Sequence, residues 1–118
     1  MRIVYVGDVV GRSGRTVLLE RLAEIRQRLR LDAVVVNGEN AAAGFGITGR
    51  ICDEMLAAGV DVVTTGNHVW DQKDTVAYIA QQPRLLRPLN MQAGTPGAGA
   101  VEVRTENGRR LVVMQVMG

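Results

Sequence analysis

The stretch AVVVNGEN, residues 33–40, decides the fold of this chain. It opens with a run of β-branched residues that no polar side chain interrupts, which is typical of a strand buried on both faces. A glycine, an acid and an amide follow the strand directly. Two other stretches resemble it: RIVYVGD at residues 2–8 and VDVVTTGNH at residues 60–68. We therefore predict three strands, at residues 2–7, 33–37 and 60–65.

Helical segments separate these strands. The spacing of apolar residues predicts a first helix from an N-cap at Ser13 to Arg30, and a second helix that Thr48 caps and Gly59 ends. A third, weaker helix is predicted over residues 71–82. Because strand and helix alternate along the chain, we predict an α/β fold in which a parallel core sheet carries flanking helices.

The pattern changes after residue 85. A loop rich in glycine and proline is followed by two apolar runs, residues 101–105 and 109–116, which flank the turn sequence Glu106-Asn107-Gly108. This arrangement predicts a β-hairpin. With 118 residues, of which 47% are hydrophobic, the chain is long enough for one core, so we predict a single α/β domain over residues 1–118.

The composition restricts the classes of function. Aromatic residues make up 3% of the chain, the net charge is +2 and the arginines are scattered, so stable binding of nucleic acid is not expected. Cys52 is the only cysteine, which excludes an internal disulfide and a cysteine-based zinc site and favours a role in core packing. No apolar run approaches the roughly 18 residues that cross a bilayer, and the N-terminus lacks a secretory leader. We expect a cytoplasmic protein without a membrane partner.

Polar side chains follow all three predicted parallel strands. They are Asp8, the pair Glu39 and Asn40, and the pair Asn67 and His68, and each group comes directly after a glycine. Because the carboxyl ends of parallel strands lie at one edge of a sheet, we expect these groups to converge there. The preceding glycines are expected to permit unusual backbone angles and close approach to a bound group.

The chemistry of this set favours metal ions. Carboxylate and amide oxygens with one imidazole suit Mn, Fe, Mg or Zn, and the two oxygens of Glu39 allow it to bridge two ions. Without a cation, neighbouring carboxylates would repel each other. A pair of metal ions is a common device for displacement at phosphorus, and His68 is suited to protonate the leaving oxygen. The sequence therefore predicts a hydrolase that acts on phosphoesters.

Three motifs also carry a family resemblance: GDVVGRSGR at residues 7–15, NGENAAAGFGIT at 37–48 and GNHVWD at 66–71. Together with RPLN at 87–90, they resemble the calcineurin-like metallophosphoesterases, and most closely the YmdB-like branch, which hydrolyses 2′,3′-cyclic nucleotides. The resemblance extends over essentially the whole chain. It implies that the chain contributes to a four-layer α/β/β/α sandwich.

The resemblance also implies roles for individual residues. Asp8 would bind one metal ion, Glu39 would bridge two, Asn40 would assist at one of them, Asn67 would bind the second, and His68 would be the catalytic proton donor. The two ions would most often be Fe or Mn, with Mg or Zn as alternatives. A small phosphodiester such as a cyclic nucleotide would be the substrate, and the sequence is compatible with a homo-oligomer.

Two departures from the wider superfamily matter. Val10 stands where the superfamily has a histidine after its first aspartate, and Glu39 replaces the more usual aspartate; both features fit the YmdB-like branch. The family also completes its site with histidines from a C-terminal half, whereas this chain has one histidine in total. We therefore expect the chain to be the N-terminal portion of a longer metallophosphoesterase, to bind metal weakly or not at all by itself, and to be inactive alone.

Other interpretations remain open at this stage. The glycines at positions 7, 11 and 14 with Glu39 suggest a Rossmann-like nucleotide-binding domain, although their spacing differs from the dinucleotide motif. A non-catalytic regulatory protein on the same fold is a further alternative. Arg12 is a candidate for holding a substrate phosphate, with a solvated surface position as the alternative. Asp71 is predicted to be a helix cap rather than a metal ligand.

Overall fold

The computed structural model describes all residues from Met1 to Gly118. It contains six strands and three α-helices. The strands are β1 (Ile3–Val6), β2 (Ala33–Asn37), β3 (Val62–Thr64), β4 (Leu85–Leu86), β5 (Ala100–Arg104) and β6 (Arg110–Met114). The helices are α1 (Gly11–Leu29), α2 (Gly49–Ala57) and α3 (Thr75–Ile79), and a 3₁₀ turn covers Gly66–His68.

The first four strands form one parallel sheet in the order β1-β2-β3-β4. Strands that follow one another in sequence are neighbours in space, and crossovers of the same hand place every connecting helix on the same face. The order differs from that of a Rossmann domain, in which the fourth strand lies beside the first. The topology therefore does not favour the nucleotide-binding alternative.

Alternate residues of β2 point to two different cores. Val34 and Val36 are fully buried and face a cluster that includes Leu22 of α1 and Met55 of α2. Val35 faces the opposite side, where buried residues of β3 and β4 pack against the hairpin of β5 and β6. The predicted α/β fold is thus confirmed, with a helical layer, a parallel sheet and a second sheet as successive layers.

The predicted start of α1 was wrong. The helix begins at Gly11 rather than after Ser13, and the residue at its N-cap, Val10, makes no side-chain cap. Backbone groups of the neighbouring loop replace the cap, because the carbonyl of Asn40 accepts the Gly11 N–H at 3.0 Å. The C-terminal end was predicted well, since Arg30 is the C-cap.

The predicted third helix was too long. The helix covers only Thr75–Ile79, and side chains at and just before its start bind the loop that follows β2. The Gln72 amide donates to the Phe45 carbonyl at 2.6 Å, and the Thr75 hydroxyl donates to the Ile47 carbonyl at 2.6 Å. These two bonds attach the start of α3 and the residues before it to that loop. None of the three α-helices combines the length and apolar character needed to cross a bilayer.

The strand predictions differ from the structure mainly at their ends. Strand β3 begins at Val62 rather than at residue 60, since the Asp61 carboxylate turns back to accept the Val34 N–H at 2.7 Å and an Arg26 N–H at 2.8 Å. Strand β4 was not predicted, because two residues are too few to show a periodicity. The hairpin of β5 and β6 was predicted correctly, with each strand shifted by one or two residues.

Candidate functional site

The three groups of polar residues lie at one edge of the parallel sheet. In its register Val6 pairs with Val36, and Asn37 pairs with Thr64, so that β1, β2 and β3 end side by side. Asp8, Glu39 and the 3₁₀ turn Gly66–His68 come directly after these ends. The predicted placement at a common carboxyl edge is therefore observed.

Asp8 and Asn40 are in direct contact. The Asn40 side-chain amide donates to both carboxylate oxygens of Asp8, at 3.0 and 3.1 Å. Asp8 itself has a positive φ of 32°, which is uncommon for a residue with a side chain and is often found at functional sites. The end of the first strand is thus held against the loop after the second strand.

Glu39 is fixed by Asn37, the last residue of β2. The Asn37 amide donates to Oε1 of Glu39 at 2.8 Å, and the Glu39 N–H donates to Oδ1 of Asn37 at 2.9 Å. The second carboxylate oxygen, Oε2, is buried and has no hydrogen-bond partner. A buried carboxylate oxygen without a partner is costly unless a cation or a donor satisfies it. The sequence analysis placed Asn37 in the strand and at the start of the second motif, without a role at the site.

Gly66 makes room for this carboxylate. A Cβ on Gly66 would lie 2.5 Å from the carboxylate carbon of Glu39, and the residue has a φ of 52°. The expectation of an unusual backbone angle is thus confirmed at Gly66, where the close neighbour is Glu39 of the same chain. It was wrong at the other two strand ends, because neither Gly7 nor Gly38 has a positive φ, and a Cβ there would meet only apolar side chains.

Asn67 and His68 follow Gly66 within the 3₁₀ turn. Asn67 is exposed, and its side chain makes no hydrogen bond within the chain. The His68 Nδ1 lies 2.7 Å from Oδ2 of Asp71, and the two side chains are 39% and 31% exposed. The interpretation of Asp71 as a helix cap was therefore wrong: α3 begins four residues later, and the carboxylate contacts the histidine instead. The spacing His-x-x-Asp in a turn is the signal that could have indicated it.

The side chains at the carboxyl edge include oxygen ligands that suit a metal ion, but they do not form a complete set of ligands. Glu39 offers a buried, unpartnered oxygen beside Gly66, and Asp8 offers an exposed carboxylate at the same edge. Carboxylate and amide oxygens are suitable ligands for hard or borderline cations. However, no three His, Cys, Asp or Glu side chains of this chain lie together as a metal-binding group. The residues present therefore fit a metal ion only in part.

The two arginines near the first strand end differ in their surroundings. Arg12 is exposed, and its guanidinium makes no hydrogen bond within the chain. Arg15 donates to the carbonyl of Ala41 and so holds the loop after β2. A cleft of about 520 Å³ between β1 and α1 reaches Asp8, but its lining is mainly apolar, so the polar edge of the sheet lies largely outside it.

Cys52 lies in the helical core, as predicted. It is fully buried, and burial raises the pKa of its thiol to about 11. Burial also raises the pKa of the neighbouring Tyr78, whose hydroxyl donates to Asp53 at 2.7 Å. Both groups therefore stay protonated near neutral pH, and neither lies at the carboxyl edge of the sheet.

Comparisons with known proteins agree with this arrangement. The sheet with helices on one face and a second sheet on the other matches a crystal structure described as a novel phosphatase from Mycoplasma pneumoniae, with a TM-score of 0.87 and 29% identity over 98% of this chain and 42% of that chain. A hypothetical protein from Thermus thermophilus is similar with a TM-score of 0.90 and 41% identity, over 100% of this chain and 45% of that one. The fold is that of the metallophosphoesterases.

The sequence matches the model of the family described as YmdB-like protein over residues 4–118, and the chain belongs to this family. A 2′,3′-cyclic-nucleotide 2′-phosphodiesterase from Bacillus subtilis (strain 168) is 40% identical over 118 residues, which are 100% of this chain and 44% of that protein. A putative phosphatase/phosphodiesterase from Mycoplasma pneumoniae is 35% identical over 91 residues, which are 77% of this chain and 32% of that protein. The chain thus spans less than half the length of these relatives.

Proposed function

We propose that this chain supplies one half of the active site of a metal-dependent phosphodiesterase, with a 2′,3′-cyclic nucleotide as the substrate. The observation that carries the proposal is the Glu39 carboxylate, which has one oxygen held by Asn37 and the other buried without a partner beside Gly66. The Bacillus subtilis relative, which is named for hydrolysis of such a substrate, supports the choice of substrate.

In this proposal Asp8, Glu39, Asn40 and Asn67 hold two metal ions, Fe or Mn in preference to Mg or Zn. Such ions would neutralise the negative charge of the phosphate oxygens and make water at the site more acidic. The Asn40 amide keeps the Asp8 carboxylate in place, and Asn37 does the same for Glu39. Both carboxylates are thus oriented before a metal ion binds. This limits the conformational entropy that is lost when the ion orders them.

His68 acts as the general acid in this proposal. It transfers a proton to the oxygen that leaves phosphorus, a role that suits an imidazole because its pKa lies near neutral pH. Arg12, exposed at the start of α1, is available to contact a substrate phosphate. The ligands that this chain lacks would come from the additional length found in the relatives.

A chimera tests the proposal. This chain would replace the matching 118 residues of the Bacillus subtilis relative, and hydrolysis of a 2′,3′-cyclic nucleotide would be measured with Mn²⁺ or Fe²⁺. The chimera should be active, and Glu39→Gln should lower kcat/KM by orders of magnitude and reduce the bound metal. Glu54→Gln, the same change on the exposed surface of α2, is the control and should leave both unchanged. A folded, metal-loaded chimera without activity would refute the proposal, as would a fully active Glu39→Gln variant.

A further inference from the structure

The contact between His68 and Asp71 is part of a well-defined turn. The Asp71 N–H donates to the His68 carbonyl at 3.2 Å, and the Asp71 carboxylate returns to the His68 ring at 2.7 Å. Backbone and side-chain bonds therefore link the same two residues. This closed turn fixes the side of the ring that faces Asp71, namely Nδ1.

The loop that follows β2 holds this turn from the outside. Gly46 packs so closely that a Cβ on it would lie 3.0 Å from the Asp71 Cβ and 3.0 Å from the His68 carbonyl oxygen. Bonds from Gln72 to Phe45 and from Thr75 to Ile47 attach the chain after Asp71 to the same loop. The Cβ of Asp71 and the chain that follows it are thus both held against this loop.

We propose that Asp71 is a positioning residue that sets the orientation and tautomer of His68. This inference rests on the proposed role of His68 as general acid. A carboxylate accepts a hydrogen bond but cannot donate one, so it keeps the Nδ1 proton in place. The nitrogen that exchanges a proton with the substrate is then Nε2.

The proton transfer balances in this arrangement. The Nε2–H bond of the imidazolium breaks, an O–H bond forms on the leaving oxygen, and the electron pair stays on Nε2. The ring becomes neutral and keeps its remaining proton on Nδ1, where the Asp71 carboxylate accepts it. An exposed pair of this kind contributes little to stability, so orientation is the main effect expected of Asp71.

The single histidine of this chain makes the tautomer directly measurable. In the ¹⁵N-labelled chain, a long-range ¹H–¹⁵N spectrum recorded at a pH where the ring is neutral reports both ring nitrogens of His68 alone. We expect Nδ1 to have the ¹⁵N chemical shift of a protonated ring nitrogen, and Nε2 to have that of an unprotonated one. Asp71→Asn should bring the two shifts toward each other, because a neutral amide can both accept and donate.

Asp74→Asn is the matched control. Asp74 lies in the same segment, but its carboxylate accepts from the Gly49 N–H, so the spectrum of His68 should stay as in the unmodified chain. The backbone amide spectrum of each variant checks its fold. A neutral ring protonated on Nε2 in the unmodified chain would overturn the inference, and so would an unchanged pattern in a folded Asp71→Asn variant. Because no substrate is needed, this outcome is separate from that of the chimera.

Discussion

Glu39 shows at the scale of single residues what a sequence can and cannot predict. The acid follows a glycine at the end of an apolar strand, so its place at the carboxyl edge of the sheet could be predicted. Its buried oxygen could not be predicted, because it depends on Asn37 and on the backbone of Gly66, and the latter is 27 residues away in the chain. Likewise, Asp71 was misassigned because an aspartate before a predicted helix is typical of a cap, whereas the His-x-x-Asp spacing indicates its contact with His68.

Gly66→Ala tests the space beside Glu39. The new Cβ would collide with the Glu39 carboxylate, and the positive φ adds backbone strain, so we expect a loss of stability above the ~1–3 kcal/mol typical of such strain. Urea unfolding measures it. Gly108→Ala is the control, because Gly108 has a φ of 78° but nothing within 4 Å of a Cβ. Equal losses for the two variants would mean that Glu39 does not occupy this space.

Cys52 gives a test of the helical core through pH. Because burial raises its pKa to about 11, the thiol stays protonated in the folded chain when an unfolded thiol already ionises. Its contribution to stability is thus complete below the ordinary thiol pKa and is lost as the pH rises toward 11. Alkylation at about pH 8 to 9, near the ordinary thiol pKa, should be much slower in the folded chain than in urea. Equal rates would place the thiol at the surface.

At the scale of elements, strands were easier to predict than helix ends. A strand such as β2 can be predicted from its own residues, because they form an uninterrupted apolar run that is buried on both faces. The start of α1 depends instead on the carbonyl of Asn40, and the start of α3 lies where Thr75 bonds to the loop after β2. These partners are distant in sequence, so no local pattern indicates them. The N-cap of α2 is the exception, since Thr48 caps its own helix.

Thr48→Ala tests that cap. The hydroxyl of Thr48 accepts the Ile51 N–H at 3.2 Å, and its loss should destabilise the chain by about 1 kcal/mol in urea unfolding. Thr16→Ala is the control, because the Thr16 hydroxyl only donates to a carbonyl within α1, at Arg12. That change should be close to neutral. If the Thr48 variant were no less stable than the Thr16 variant, the assignment of Thr48 as the N-cap of α2 would be wrong.

At the scale of the whole molecule, the layers of the fold could be predicted from the sequence. The set of ligands at the site could be predicted only in part. The alternation of strand and helix indicated the parallel sheet, and the family resemblance indicated the second sheet packed on it. The count of one histidine predicts a partial set of metal ligands, and this stays a prediction. The chain alone is therefore expected to bind metal ions weakly, through oxygen ligands at the carboxyl edge.

Titration of the ¹⁵N-labelled chain with Mn²⁺ tests most directly whether three strand ends share the proposed metal site, because a paramagnetic ion broadens nearby amide signals even when it binds weakly. We predict that the signals of Asp8, of Glu39 and Asn40, and of Gly66 to His68 broaden together and first, and that Glu39→Gln suppresses this broadening. Broadening at one strand end alone, or spread evenly over the surface acids, would contradict a common site.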